Sequence, residues 1–338
     1  MPQVSVRIEG RALSIVPGTP LLEVLAAHDL TGDAADPVVL AVINGQRSPL
    51  SLPLWGDEHV GLMRLSHPKT RAAILQTLSA VLAVACEELF PERELIVDFS
   101  LDDGLHGTLG DAVTEADLLA VAERMRAIVA QDREILPRVF GQRTLVRKLR
   151  GSRLRYTRDA ARHVDPDATP MAQIEGSDLI FQGLQLPSTR DVGAFALLPE
   201  PPGFVLLPSL PGRPDSTAEA VRRPKLLAAL REWGAWADGH GFAHLGGLNR
   251  WLAEGRAKEL VRLCEARQGR VFVTTADRIA ALPADGRLVL IAGPSSSGKT
   301  STAKRLSVQL KVLGLQPFAL SLDDYFVDRD ATPRDAHG

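Results

Sequence analysis

The chain has 338 residues, a formal net charge of −2, and 45% hydrophobic and 24% charged residues, with only two cysteines. This is the balance of a folded protein of two or three domains, and it excludes a global electrostatic pull toward nucleic acid or membrane. Cys86 and Cys264 stand far apart in apolar helical patterns, which excludes a disulfide framework and fits a reducing cytoplasm.

The N-terminus, MPQVSVRIEG, lacks the charged-then-apolar profile of a signal peptide, and no apolar run reaches the roughly 18 residues of a membrane span. A soluble, cytoplasmic protein without membrane contact is expected. Val4, Val6 and Ile8 share one face, EGR turns, and Leu13 and Ile15 follow, which predicts a hairpin. Thr19 before Pro20 reads as an N-cap and first helical residue, opening a short helix through Leu22, Val24 and Leu25. Strands are expected in VVLAVINGQ, where Asn44-Gly45 supplies a tight turn, and in HVGLMRL, ending near Leu65. Together these elements predict a small β-grasp module.

From Pro68 the period becomes helical: Ile74, Leu78, Val81, Ala85 and Leu89 form one stripe, ended by Pro91. ELIVDFSL reads as a strand, and Thr114 with Asp117 caps a helix through Leu118, Val121, Met125 and Ile128. The basic stretch 138–163 has two readings, contact with RNA phosphates or a solvated helix face paired with acids. Six prolines between 199 and 214 predict loop or edge strand. Leu226, Leu230, Trp233 and Trp236 mark an amphipathic helix, and another runs from about Leu248 to Ala266. Trp233, Trp236, Trp251 and both cysteines are expected in cores.

The most specific motif comes last. Gly293-Pro294-Ser295-Ser296-Ser297-Gly298-Lys299-Thr300 fits G-x-x-x-x-G-K-[ST], with the apolar run RLVLIA before it and the helical pattern of Ser301 onward behind it. Glycines let the backbone aim its N–H groups at phosphate oxygens at the positive end of a helix. Lys299 would lie along the β- and γ-phosphates of ATP, and the Thr300 hydroxyl would take a Mg²⁺ coordination site. GLQPFALSLDDYF then reads as a second strand ending in Asp323-Asp324. A carboxylate there is a general base or Mg²⁺ partner, or it is a solvated acidic turn; spacing leaves both open.

GPSSSGKT followed by LSLDDYFVDRDATPRDAHG resembles the phosphoribulokinase/uridine kinase family, and more narrowly bacterial nucleoside kinases with a threonyl-tRNA-synthetase-like N-terminal region. The resemblance implies that Asp323 is the catalytic base, that Asp324, Tyr325 and Phe326 lie toward the acceptor, and that a nucleoside hydroxyl receives the γ-phosphoryl group of ATP. It also implies that the family's kinase domain continues past residue 338, so a shortened, catalytically incomplete kinase is expected. Residues 1–66 resemble a TGS domain, and about 67–198 resemble the synthetase's second additional domain, which hydrolyses mischarged tRNA. Laid on that editing site, Gln76 and Ala80 replace its H-x-x-x-H histidines, and Phe181 and Gln185 replace its cysteine and later histidine. Those four side chains cannot perform the hydrolysis. His67 and His106 lie nearby in sequence, each more typical of a surface or capped histidine than of a catalyst.

The expected architecture is therefore an α+β N-terminal region, with a β-grasp module over 1–66 and an editing-like domain over 67–215, a helical connector over 216–284, and the start of an α/β P-loop NTPase domain over 285–338. The alternative function is an RNA- or ligand-binding module with a vestigial phosphate loop.

Overall fold

A computed structural model describes residues 3–210, 213–217, 223–283, 287–327 and 332–333. The chain divides into two compact units, residues 1–250 and 251–338, and its topology is mixed α+β.

Unit one opens with a five-stranded sheet. β1 (Val4–Ile8) and β2 (Arg11–Ile15) form the hairpin that the alternation predicts, with Val6 and Ile8 buried. The two-residue β3 (Thr19–Pro20) pairs with β6 (Pro53–Leu54), so α1 (Leu21–Ala27) starts one residue later than the Thr-Pro signal suggests, with Pro20 as its N-cap. Thr19 Oγ1 instead donates to Val16 O at 2.7 Å. β4 (Val38–Ile43) turns through Asn44 and Gly45, both at positive φ, into β5 (Gln46–Ser48), and β7 (His59–Arg64) closes the sheet. The strand order is β2-β1-β7-β4-β5, with β1 and β7 parallel. Leu21, Val24 and Leu25 of α1 pack in one core with Ile8, Leu54 and Val60.

A second and larger core in the same unit is built around α2 (Arg71–Leu89). One buried stripe is expected there; the structure instead buries eleven residues that reach round the helix, including Thr77, Leu82, Ala83 and Val84, and leaves Leu89 exposed. The cause is central placement: α3 (Glu115–Ala130) packs on α2, and so do a short turn at Thr189–Val192 and β8 (Leu95–Leu101). The span Pro68–Leu89 is by length and composition apolar enough to cross a membrane, contrary to the sequence reading, and 61% of it is buried inside the protein. β8 belongs to an antiparallel sheet with β9 (Gly104–Leu109), β12 (Ala196–Glu200) and β13 (Gly203–Leu207), in the order β12-β13-β9-β8. The proline-rich span is thus more ordered than expected. Pro199 does sit on edge strand β12, but β13 is an interior strand, buried at all five residues. Pro211 in that span lies outside the described residues.

β10 (Ile135–Phe140) pairs with β11 (Thr169–Ile174), and between them the basic stretch forms α4 (Gln142–Lys148) and α5 (Arg155–Ala160). After the small hairpin of β14 (Ser209–Leu210) and β15 (Arg213–Thr217) comes α6 (Pro224–Gly239). Its buried residues are Leu227 and Ala237, whereas Leu226 and Trp233 are each 46% exposed. The predicted apolar face is therefore offset from the buried one. The helix expected over 248–266 is two helices, α7 (Leu245–Ala253) and α8 (Ala257–Ala280), separated at Gly255, whose φ of 73° no helix accommodates.

In unit two, Ala276 and Ile279 of α8 pack on Leu306 and Leu310 of α9 (Lys299–Val312). Trp251 is buried under the Arg256 guanidinium, 3.5 Å from its ring centroid. Arg287 closes the end of α8, donating to Ala280 O and Leu282 O at 3.0 Å each. The two strands expected at 287–292 and 315–322 are not formed: among the described residues of unit two there is no strand, and Leu290 and Phe318 are 84% and 85% exposed. A strand is held by ladder bonds to a neighbour, and neither segment has one among the described residues. The segment after Val327, which carries the end of the kinase-like motif, lies outside the described residues except for 332–333.

Candidate functional site

The Gly293–Thr300 loop is an exposed turn leading directly into α9. Ser297 N donates to Pro294 O at 3.3 Å, and two left-handed residues, Ser296 (φ 59°) and Gly298 (φ 82°), curl the backbone. Such alternation turns successive N–H groups toward one side, making an anion-binding concavity. Gly298 is also the N-cap of α9, with no side chain capping it, and the first turn of the helix carries no acidic residue. Its free N–H groups and positive dipole end therefore face the loop without competition. Lys299 Nζ folds back over the turn, donating to Gly293 O at 2.9 Å and to Pro294 O at 2.8 Å. Thr300 and Ser301 follow on the exposed first turn.

Asp323 and Asp324 lie on an exposed single turn, Leu322–Tyr325, held by Asp324 N to Ser321 O (3.2 Å) and Phe326 N to Asp323 O (3.4 Å). Among the described residues no hydrogen bond or ion pair joins Asp323 to Lys299 or Thr300, and no group of three or more His, Cys, Asp or Glu side chains is set to hold a metal. Tyr325 and Phe326 are exposed beside them.

Unit one contains a separate cleft of about 290 Å³. Gln76, Ala80, Phe181 and Gln185, which sequence spacing alone leaves more than a hundred residues apart, all line it. Two devices hold the Phe181–Gln185 loop, one to β11 and one to α2. Phe181 and Ala172 exchange both backbone hydrogen bonds at 2.8 Å, and Leu186 N donates to the buried Thr77 Oγ1 at 2.9 Å. Gly183 fits between them because its φ is 103° and a Cβ there would stand 2.8 Å from Gln76 Oε1. Ser79, Tyr156 and Thr157 add hydroxyls to the wall. Nothing in the sequence marks these three. The lining holds no His, Cys, Asp, Glu, Lys or Arg, so the cleft has no group to activate water.

The two nearby histidines are structural. His67 Nδ1 accepts from Lys69 N at 3.1 Å and caps a short turn. His106 is not a surface residue: it is 1% exposed, stacked on Phe99, with Arg231 donating to Nε2 (3.2 Å), which leaves the ring proton on Nδ1 for Asp98 (2.8 Å). Cys86 is buried as expected, and burial pushes its thiol up to about 12; Cys264 is only partly buried. Of the basic stretch, Arg155 pairs with Asp238 at 2.8 Å and Arg158 with Asp159 at 3.4 Å. Arg143, Arg147, Lys148, Arg150, Arg153 and Arg162 are exposed and make no ion pair among the described residues.

No family model matches the chain. Its curated relatives include the threonine–tRNA ligase of Maricaulis maris (strain MCS10), 27% identical over 177 residues, which are 51% of this chain and 27% of the ligase. The threonine–tRNA ligase of Aquifex aeolicus (strain VF5) is 25% identical over 207 residues, 58% of this chain and 31% of that enzyme. That of Thermobifida fusca (strain YX) is 26% identical over 133 residues, 39% and 19% of the two chains. The chain spans less than a third of the length of each of these ligases. It is thus a remote and partial relative of threonine–tRNA ligase.

Proposed function

We propose that the chain is an ATP-dependent nucleoside phosphotransferase of the uridine kinase type, working in the cytoplasm, with residues 293–300 holding the donor's phosphates. The observation that supports this reading is the loop: a left-handed turn, an uncapped helix N-terminus and a lysine folded over both. In the reading, backbone N–H groups between Ser295 and Thr300 bind phosphate oxygens, Ser297 N giving up its bond to Pro294 O, and Lys299 exchanges its two carbonyl partners for the β- and γ-phosphates. The donor set fits magnesium only together with a nucleotide, since Thr300 and Asp323 are the protein oxygens on offer and phosphates complete the shell. Magnesium held there by Thr300 and Asp323 would supply positive charge against the donor's phosphates. Asp323, exposed and without an ion pair among the described residues, accepts the proton of the attacking nucleoside hydroxyl. Residues 1–66 are then a TGS-like β-grasp module, 67–215 an editing-like domain that has lost its chemistry, and 285–338 belongs to a P-loop NTPase domain.

A second reading, an RNA- or ligand-binding module with a vestigial loop, is favoured by the ligase similarity and by the unpaired cations between Arg143 and Arg162. Titration of the chain with a fluorescent ATP analogue and Mg²⁺, followed by assay of nucleoside monophosphate formation across a nucleoside panel, separates the two. Lys299→Ala should weaken nucleotide binding at least about tenfold, the loss of one charge-assisted partner, whereas Asp323→Asn should leave nucleotide binding intact. Absence of nucleotide binding would overturn the first reading. The second reading requires salt-dependent tRNA binding that weakens on reversing Arg150 and Arg153 to Glu.

A further inference from the structure

The five-stranded sheet of unit one has a buried core, yet one apolar corner beside it is left uncovered. Trp55 is 65% exposed, and Leu22 and Leu52 are each 41% exposed. Backbone pairing sets these residues side by side. Thr19 of β3 faces Leu54 of β6, Gly18 N donates to Leu54 O at 2.7 Å, and Leu21 N donates to Leu52 O at 2.9 Å. The Trp55 indole lies over Gly18, where a Cβ would stand 3.5 Å from the ring. Val16, also exposed, adjoins them through the turn that its carbonyl closes with Thr19 N. Exposed apolar side chains scattered singly are ordinary, but a group gathered around a tryptophan marks a contact surface. The backbone beneath it is fixed. Glu58 accepts from Trp55 N and Gly56 N at 2.8 Å each, and a Cβ on Gly56 would stand 2.9 Å from Val4 Cβ. A partner therefore meets a surface already ordered and loses little freedom in fitting it.

The surrounding charge decides what could sit there. Residues 12–25 and 48–58, which build the corner, contain no lysine or arginine; their charged residues are Glu23, Asp57 and Glu58. Glu23, next to Leu22 on the first turn of α1, and Asp57, two residues after Trp55, are exposed and make no ion pair among the described residues. A nucleic acid or an anionic lipid surface would bring phosphates against these carboxylates, so neither fits, although an exposed tryptophan suits both. Two copies meeting corner to corner would set acid against acid. A polypeptide segment with an apolar side chain between lysines or arginines matches both features at once. Its apolar residue packs on Trp55, a residue type that carries much of the energy at interfaces, and its cations meet Glu23 and Asp57.

We propose that the Trp55 corner docks a basic, apolar polypeptide segment of another protein, with Trp55 as the anchor and Glu23 and Asp57 as the charged rim. The corner shares no residue with the Gly293–Thr300 loop or with the basic stretch 138–163, so it stands apart from both readings above. Fluorescence polarisation of the full chain with a short labelled leucine–lysine peptide tests it, with serine–lysine and leucine–glutamate peptides as controls. The leucine–lysine peptide should bind saturably, and more weakly as salt rises. Trp55→Ser should weaken that binding at least about tenfold, the loss of an interface hot spot. Glu23→Lys combined with Asp57→Lys should weaken it about fivefold through the lost charge pairing. All three positions are exposed, so circular dichroism and melting temperature should stay as in the parent. Leu119→Ser, which removes an equally exposed leucine from α3, should bind as the parent does. Absence of saturable binding up to about 1 mM peptide, unaltered affinity in Trp55→Ser, or equal affinity for the leucine–glutamate peptide would each overturn the proposal. Equal weakening by Leu119→Ser would do the same. So would self-association of the chain, RNA binding or capture by anionic vesicles that Trp55→Ser abolishes, since each names a different occupant.

Discussion

His244 is the side chain whose protonation the fold resists. Its ring is 7% exposed, stacked on Tyr156 at 4.5 Å; Gly247 N donates to Nδ1 at 3.2 Å, so Nε2 carries the proton toward Asp159 Oδ2 at 3.4 Å. Burial pushes its pKa below the ordinary histidine value; Asp159 and Asp238 oppose that shift, and Arg155 and Arg250 reinforce it. The sign follows. Above the ordinary value both states are neutral, so His244 has no effect on stability. As pH falls below about 6.5 the unfolded chain takes up a proton that the folded chain declines, and stability drops by about 1.4 kcal/mol for each unit of displacement. Urea unfolding at pH 7, 6 and 5 should therefore show a decline that is shallower in His244→Gln. Equal slopes in the two proteins would mean that the folded ring protonates freely.

Elements whose causes are local were legible in the residues, and the first turn of α3 shows why. Thr114 Oγ1 accepts from Asp117 N at 3.1 Å, and Asp117 Oδ2 accepts from Thr114 N at 3.0 Å and from Arg93 at 2.9 Å. The backbone bond from Thr114 is the first cause of the lowered Asp117 pKa, and Arg93 the second. Thr114→Ala should cost about 1 kcal/mol in chemical denaturation, the usual value of an N-cap, and a loss within about 0.3 kcal/mol would leave Arg93 as the group that secures the turn. Hairpins declare themselves in the same way, through Asn44-Gly45 or the alternation of Val4 to Ile15. The 287–292 and 315–322 segments failed as strands for the opposite reason, since their apolar pattern is right but a strand exists only with a neighbour. Gly255 was a readable break that the helical pattern on either side concealed. On α6, tryptophans at helical spacing read as core, yet Trp233 is half exposed, because a large side chain can cover a surface as well as fill one.

Across the whole molecule the cores differ in scale. The α2-centred core gathers Leu78, Leu82, Met125, Ile128, Phe204 and many more, whereas the described core of unit two rests on Ala276, Ile279, Leu306 and Leu310. Local opening tracks buried apolar contact, so native-state hydrogen exchange should protect the amides of α2 most strongly and those of α9 much less. Equal protection of the two helices would show that unit two is held by interactions other than this core. The same difference in scale governs what could be read of the two sites. The Gly293–Thr300 motif is eight consecutive residues and was visible as text. The cleft joins α2 to a loop beginning at Phe181, so no spacing rule reveals it; only the resemblance to a known editing site placed Gln76, Ala80, Phe181 and Gln185 together. Ser79, Tyr156 and Thr157 carried no signal of any kind.

The way Lys299 is held bears on how the Gly293–Thr300 turn could engage an anion. Its ammonium is already chelated by Gly293 O and Pro294 O, so its long side chain gives up about 2 kcal/mol of rotamer freedom at folding rather than at ligand capture. Any anion that recruits it must take part in an exchange reaction, displacing two carbonyl oxygens with oxygens of its own. A monovalent anion would offer few oxygens for that exchange, whereas a polyphosphate would offer several at once. If the loop takes phosphates as proposed, the tether would favour anions of several oxygens over monovalent ones.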